Sequence, residues 1–360
     1  MIDALSFNGG RGVGRHEGVV IFVPWTAPGD RVRVEIVENK KTFLIGKVDE
    51  ILEPSSLRRQ PRCPVFTRCG GCTWQHIPYD EQIHQKKLIL QAALKQWEGP
   101  FSLLEFVPSP DEYRYRNRIQ VNKSGENIGF FARGSREVVN ISDCPITEAE
   151  LAEQLPSLHG KSDGRYEISR RTDGRVALEG GRRDPEAALF SQVNTKQNAM
   201  LIETVVKWAR ELLFDEIWDL YCGSGNLTLP LAQAFPLAKI SGVELSEDAI
   251  QVAQKLGQSI TWVAEDVGRF LAKQRTAVQE RLLIVLDPPR AGVDGKVMDE
   301  LGRTQPSCVI YVSCNPMTFS RDARRLKTFG YDLDRVQGFD MFPQTEHVEL
   351  ISLFRRVISR

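Results

Sequence analysis

No sign of charge dominates this chain: 47 Lys and Arg balance 47 Asp and Glu across 360 residues. Net charge therefore supplies no general pull toward nucleic acid, and any polyanion must be held by a local patch. Long apolar runs are missing too. Nothing approaches the ~18 consecutive apolar residues of a membrane span, so no membrane partner is expected. The opening Met1-Ile2-Asp3-Ala4 has neither the basic stretch nor the apolar core of an export signal, and a cytoplasmic protein is expected. Cysteine is sparse, with seven residues unevenly placed. Without an export signal these read as metal ligands or catalytic thiols rather than disulfides. There is no internal repeat and no low-complexity tract. A length prior of roughly 150 residues per domain gives two or three domains, and a monomer is expected.

What is present starts with short strands. Val19-Val20-Ile21-Phe22-Val23, the alternating Arg31-Val32-Arg33-Val34-Glu35-Ile36-Val37 and Phe43-Leu44-Ile45-Gly46-Lys47-Val48 follow a glycine-rich turn at Gly9 to Arg15. Several short strands in so few residues predict an OB-type barrel over 1–53, either binding oligonucleotide or packing on the rest of the chain.

Cys63, Cys69 and Cys72 then fall within ten residues, with Gly70 and Gly71 between the last two. Glycines there let the backbone wrap closely round an inorganic centre. Cys144, followed by a proline as Cys63 is, supplies the fourth thiol. Four thiolates suit either tetrahedral zinc or a 4Fe-4S cluster, and spacing does not choose between them. His76 reads as structural. Asp80 to Trp97 reads as a packing helix capped by Asp80. From Tyr113 to Arg136, Arg114, Arg116, Arg118, Lys123, Arg133 and Arg136 face the single acid Glu126, with Tyr113, Tyr115, Phe130 and Phe131 interleaved. Arginine plus aromatic is the composition of a nucleic-acid surface, whereas a solvated strand face is the bland alternative. The stretch 159–185 reads as hairpins and loops.

From about 189 strands and helices alternate. The apolar runs at 217–220, 239–243, 260–263, 282–286 and 308–312, with helical stretches between, predict a doubly wound sheet, followed by an antiparallel pair near 331–336 and 348–354. The first strand runs through Asp219-Leu220-Tyr221 into Cys222-Gly223-Ser224-Gly225-Asn226. Its glycines allow a cofactor to approach the helix start. Glu244, at the next strand end, suits ribose hydroxyls, and Asp266 ends the third strand, where adenine would lie. Each acid alone could be a helix cap. Together they predict a nucleoside site, and S-adenosylmethionine fits best because no phosphate-binding lysine is present. Asp287-Pro288-Pro289-Arg290 ends the fourth strand, Ser313-Cys314-Asn315-Pro316 the fifth, and His347-Val348-Glu349 opens the last. In open α/β sheets that edge is where ligands bind.

With these residues the chain resembles the RNA 5-methyluridine methyltransferases, of the iron-sulfur 23S rRNA uracil-5-methyltransferase type with a TRAM-like N-terminal domain. The resemblance rests on the cysteine pattern, Phe190-Ser191-Gln192-Val193-Asn194, the 219–226 turn, Asp287 to Arg290, Ser313 to Pro316 and Met341 to Glu349, and spans nearly the whole chain. It implies an α/β fold: a Rossmann-like methyltransferase domain at 189–360, a TRAM-like OB-type barrel at 1–53 and a central α+β iron-sulfur domain at 54–188. It implies a 4Fe-4S cluster on Cys63, Cys69, Cys72 and Cys144. It also implies S-adenosylmethionine contacts from Gln192, Tyr221, Asn226, Glu244, Asp266 and Asp287, and RNA contacts near Arg118 and Phe190. Uracil C5 is a weak nucleophile, so a Cys314 thiolate adding to C6 is the expected device, with Glu349 as the base for the C5 proton. By analogy the substrate is 23S rRNA, with tRNA second. An amino-directed nucleic-acid methyltransferase fits less well, since Arg290 stands where its aromatic would be and it needs no thiol. A non-catalytic RNA-binding protein would need neither Cys314 nor Glu349.

Overall fold

The computed structural model describes residues 1–171, 173–180, 192–257, 259–274 and 281–357. Phe190 and Ser191 lie outside them. Strands β1 (Ile2–Leu5), β2 (Gly12–His16), β3 (Val19–Val23), β4 (Arg31–Asn39) and β5 (Phe43–Glu53) form a five-stranded sheet in the order β1-β2-β3-β5-β4. Its core is small: Ile2, Ile21 and Val23, with Val32, Val34, Leu44 and Val48 against them. The expected glycine turn is shorter than its glycines suggest, because Gly12 already belongs to β2, paired with Val23 of β3.

Helix α1 (Tyr79–Leu94) follows, then β6 (Ser102–Leu103). Asp80 does not cap α1. Pro78 occupies that position and no side chain satisfies the first turn. A proline just before or inside a helix start needs no partner for its missing N–H. Leu90 and Leu94 pack into the core of the large sheet described below, so α1 belongs to that body although it lies within 54–188.

The central sheet joins β7 (Arg118–Ser124), β8 (Asn127–Phe131), β9 (Val138–Asn140), β10 (Gly164–Arg170) and β11 (Val176–Gly180), in the order β11-β10-β7-β8-β9, with short helix α2 (Ala149–Ala152) against it. Alternation sends Ile119 and Val121 into the core and leaves Arg118, Gln120 and Asn122 on the other face.

The C-terminal body comprises α3 (Thr195–Ala209), β12 (Glu216–Leu220), α4 (Thr228–Ala234), β13 (Lys239–Glu244), α5 (Glu247–Leu256), β14 (Thr261–Ala264), α6 (Val267–Lys273), β15 (Leu282–Leu286), α7 (Gly295–Thr304), β16 (Cys308–Ser313), α8 (Pro316–Thr328), β17 (Tyr331–Phe339) and β18 (Glu349–Arg356). Its sheet runs β14-β13-β12-β15-β16-β18-β17-β6. The first five strands are parallel, and β18 enters antiparallel between β16 and β17. β15 shows why a continuous apolar run marks a central strand. Leu282, Ile284 and Leu286 fill the core under α6, α7 and α8, while Leu283 and Val285 fill the core under α3 and α4. Each such side chain contributes roughly 1.5–3 kcal/mol by leaving water. Parallel strands held this firmly bring their carboxyl ends to one edge.

Candidate active site

Register, set by the two cores, assembles that edge. Leu220 pairs with Val243 on one side and with Leu286 on the other. The next residue of each strand is therefore Tyr221, Glu244 and Asp287, side by side. Ser313 pairs with Leu350 across β16 and β18. One step further on an antiparallel pair brings Cys314 opposite Glu349, and facing positions there stand about 5 Å apart.

The turn after β12 is held open by its backbone. Tyr221, Gly223 and Gly225 all have positive φ, at 66°, 54° and 96°. A Cβ on Gly225 would lie 2.8 Å from the Trp262 ring, so only glycine fits. Glu244 accepts from the amides of Gly223 at 3.2 Å and Ser246 at 3.0 Å, which fixes its carboxylate beside the turn. Asn226 makes a reciprocal amide pair with Asn198 of α3, at 2.8 and 3.1 Å. Asn198 was not singled out by sequence; two asparagines 28 residues apart give no local signal. Gln192 is buried ahead of α3, its carbonyl accepting from Asn117 Nδ2. Asp266 is the N-cap of α6, and of the acids whose charges, after burial, raise the Tyr221 phenol it acts most strongly. Five of the six expected cofactor residues thus lie at or flank the carboxyl edge, and Gln192 sits ahead of α3 against Asn117.

Cys314 sits between the last residue of β16 and Asn315, whose side chain accepts from the amides of Met317 and Thr318. Pro316 follows at the first helical position, where its fixed φ suits the turn. A helix start favours a thiolate. Burial opposes it first, then the charges of Glu349 and Asp287, so the thiol is pushed up to about 12, with Arg290 pulling the other way. Burial likewise raises Asp287 to about 6. Glu349, at 2% exposure, is held well above the carboxylate range by burial and then by Asp287. Arg290 donates from Nη2 to His347 Nδ1 at 3.0 Å, its carbonyl accepting from Asn315 and Thr318. Burial pulls the His347 imidazole below its ordinary range, and its Nδ1 accepts from the guanidinium. One consequence is measurable. Because the thiolate is the reactive form, alkylation of Cys314 by iodoacetamide is expected to climb about tenfold per pH unit from about pH 6 to about pH 9 without levelling. A plateau at neutral pH would show that burial and the two carboxylates do not hold the thiol up.

The four other expected thiols converge elsewhere. Cys63, Cys69, Cys72 and Cys144 line one cavity of about 780 Å³ with Arg116, Arg118 and Arg133. Burial, then the charges of Cys144, Cys69 and Cys63, push Cys72 up to about 12. Gly71 N–H points at Cys69 Sγ, at 3.4 Å. Among the described residues, no group of three or more His, Cys, Asp or Glu side chains is arranged to hold a single metal ion. His76 stands apart: its ring bonds the Thr26 carbonyl of the barrel and stacks near Phe66.

The basic patch is less open than its composition suggested. Arg114 is bidentate to Asp143, Lys123 reaches Asp163, and Arg118 lies 3.8 Å from Glu167. Tyr113 and Tyr115 are buried; Phe131 is exposed. The acids come from other segments, so Glu126 is not the only one facing the patch.

Comparison with known proteins decides the family. The tRNA (uracil-5-)-methyltransferase profile matches residues 182–266 and 270–357, and the TRAM domain matches 1–48. An uncharacterized RNA methyltransferase of Bdellovibrio bacteriovorus is 39% identical, over 96% of this chain and 92% of that protein. The chain belongs to the tRNA (uracil-5-)-methyltransferase family. A 23S rRNA (uracil(1939)-C(5))-methyltransferase of Salmonella paratyphi A is 31% identical over 97% of this chain and 94% of its own. The crystal structure of the Pyrococcus abyssi tRNA (uracil-54, C5)-methyltransferase with S-adenosyl-L-homocysteine superposes with a TM-score of 0.73 at 25% identity, covering 98% and 99% of the two chains. This member of the family is an S-adenosylmethionine-dependent RNA uracil-C5 methyltransferase, with a Rossmann-like catalytic domain behind an N-terminal TRAM domain. No helix among the described residues is long and apolar enough to cross a membrane.

Proposed function

We propose that Cys314 is the nucleophile and Glu349 the base in methylating a uridine of 23S rRNA. The observation that carries this is the strand register that sets Cys314 opposite Glu349, with Asp287 and Arg290 close enough to shift both. Bound S-adenosylmethionine supplies the methyl group on a sulfonium. Gln192, Tyr221, Asn226, Glu244 and Asp266 are assigned to hold it, and Asp287 to orient it or the uracil edge. The glycine turn, with positive φ and open space at Gly223, fits such a group. The Cys314 thiolate adds to C6 of the flipped base, so C5 gains the electron pair that takes the methyl. Glu349 then removes the C5 proton, the 5,6 double bond re-forms and the thiolate leaves. A raised carboxylate pKa makes the stronger base.

Cys63, Cys69, Cys72 and Cys144 are assigned to a 4Fe-4S cluster. Four thiols on one cavity, among glycines and an amide aimed at sulfur, fit that donor set, and no catalytic step passes through it. Arg118, on the same cavity, is assigned to flanking RNA, and Phe190 to stacking on the flipped base. The protein acts as a monomer in the cytoplasm. The boundaries 1–53, 54–188 and 189–360 describe its three units, with α1 and β6 serving the third. The choice of 23S rRNA rests on relatives at 30–31% identity over 97% of the chain that carry that name.

Labelled S-adenosylmethionine with unmodified 23S rRNA and tRNA transcripts tests the reading. Label is expected in 5-methyluridine of the 23S transcript, and none with Cys314→Ala. Label in tRNA alone would move the substrate; activity surviving in Cys314→Ala would remove the nucleophile.

A further inference from the structure

The connection between β17 and β18 carries His347, and with it the partner of Arg290. It is held from an unexpected quarter. Gln344, fully buried and at φ +69° in a region that ordinarily suits glycine, has every polar group occupied. Its amide donates to Gln82 Oε1 at 2.9 Å, and its side-chain oxygen accepts from Gln82 and Arg59, both at 3.0 Å. Its Nε2 donates to the Glu112 carbonyl at 3.2 Å. Its carbonyl accepts from the amides of Thr73 and Trp74, both at 3.0 Å. Those two residues directly follow Cys72. Thr73 also donates from Oγ1 to Glu346 at 2.8 Å, next to His347.

We propose that Gln344 is a positioning residue that ties the four-cysteine segment to the reactive thiol, by locking the 340–348 connection, and with it the His347–Arg290 pair beside Cys314, onto Thr73 and Trp74. The inference rests on Cys314 being the nucleophile. Gln344 touches neither Cys314 nor Arg290. It acts through the connection, whose own bonds leave no slack: a residue in a strained conformation persists only where its surroundings over-determine it. The geometry runs from Cys72 through two main-chain amides to Gln344, through Glu346 to His347, and through one hydrogen bond to Arg290. A disturbance at the cysteine segment is thereby delivered to the group that favours the thiolate. Substrate and cofactor surfaces are untouched on this route, so rate, not affinity, is what it controls.

The experiment compares wild type, Gln344→Ala and Thr73→Val in the full chain. For each, kcat and KM for RNA and S-adenosylmethionine are measured, along with the alkylation rate of Cys314 followed on its own peptide by mass spectrometry. The alkylation is repeated on protein reconstituted with iron and sulfide and on protein left without them. Gln344→Ala is expected to lower kcat by about 10²-fold, the cost of a small misplacement at a reacting centre, with both KM values within about threefold. Cys314 alkylation should slow in parallel, and should differ between reconstituted and unreconstituted wild type. Thr73→Val keeps the volume and loses only the Glu346 bond, so a smaller change of the same kind is expected even if the alanine variant does not fold. Alkylation and kcat both unchanged in Thr73→Val, or a loss in Gln344→Ala confined to KM, would overturn the inference. A wild-type Cys314 that never alkylates, or a Cys314→Ala protein that still methylates, would instead strike the reading beneath it.

Discussion

With Glu349→Gln, methyl transfer is expected to stop after a single turnover, leaving protein and RNA joined. Glutamine keeps the size and one oxygen of the native side chain but takes no proton. Addition of Cys314 to C6 and methylation at C5 do not need that proton removed; breaking the Cys314–C6 bond does. Steady-state turnover should fall by about two to four orders of magnitude, the usual contribution of a positioned base. A band carrying both RNA and protein should survive a denaturing gel, and Cys314→Ala should abolish it. The burial of Glu349 bears on the size of the effect, because at 2% exposure solvent offers no substitute base. Turnover within tenfold of wild type, with no cross-linked band, would remove Glu349 from this role.

Lys86→Met is expected to cost about 3–5 kcal/mol of stability. Lys86 and Asp340 are both fully buried, and Nζ donates to Oδ1 at 2.6 Å and to the Phe342 carbonyl at 3.0 Å. Burial pulls the lysine down and the Asp340 charge pulls it back up. Removing the cation strands a carboxylate whose other oxygen already lacks a partner. The double variant Lys86→Met/Asp340→Leu should recover most of the loss, since well-packed apolar residues often replace a buried pair without penalty. Urea unfolding of the three proteins decides it. A single variant as stable as wild type would mean that water reaches the pair.

These two cases mark what the sequence discloses. Cys314, Glu349 and Asp287 were readable because each ends or opens an apolar run, and a run of buried strand residues has few ways to be placed. The antiparallel last pair was readable for the same reason. Lys86 and Asp340 are 254 residues apart, and nothing local in an amphipathic helix announces that one of its lysines is inside. The acids that face the basic patch stayed hidden in the same way, arriving from Asp143, Asp163 and Glu167. Asp80 looked like a cap because the pattern is common, but the chain enters the helix through Pro78. Long-range polar pairing carries no periodicity, so it stays unseen until the strands are in place.

The insertion of β18 between β16 and β17 has a consequence for how such a protein can vary. The spacing of thiol and carboxylate is read off a ruler graduated in single β residues. The connection ahead of Glu349, pinned through Gln344 to Gln82, Arg59, Thr73 and Trp74, holds those graduations in place. Shifting β18 by one residue against β16 moves them: it would turn Glu349 to the opposite face and leave Leu350 facing the thiol. Sequence drift in β18 is therefore forbidden in phase. A single-residue deletion inside β18 should abolish methyl transfer.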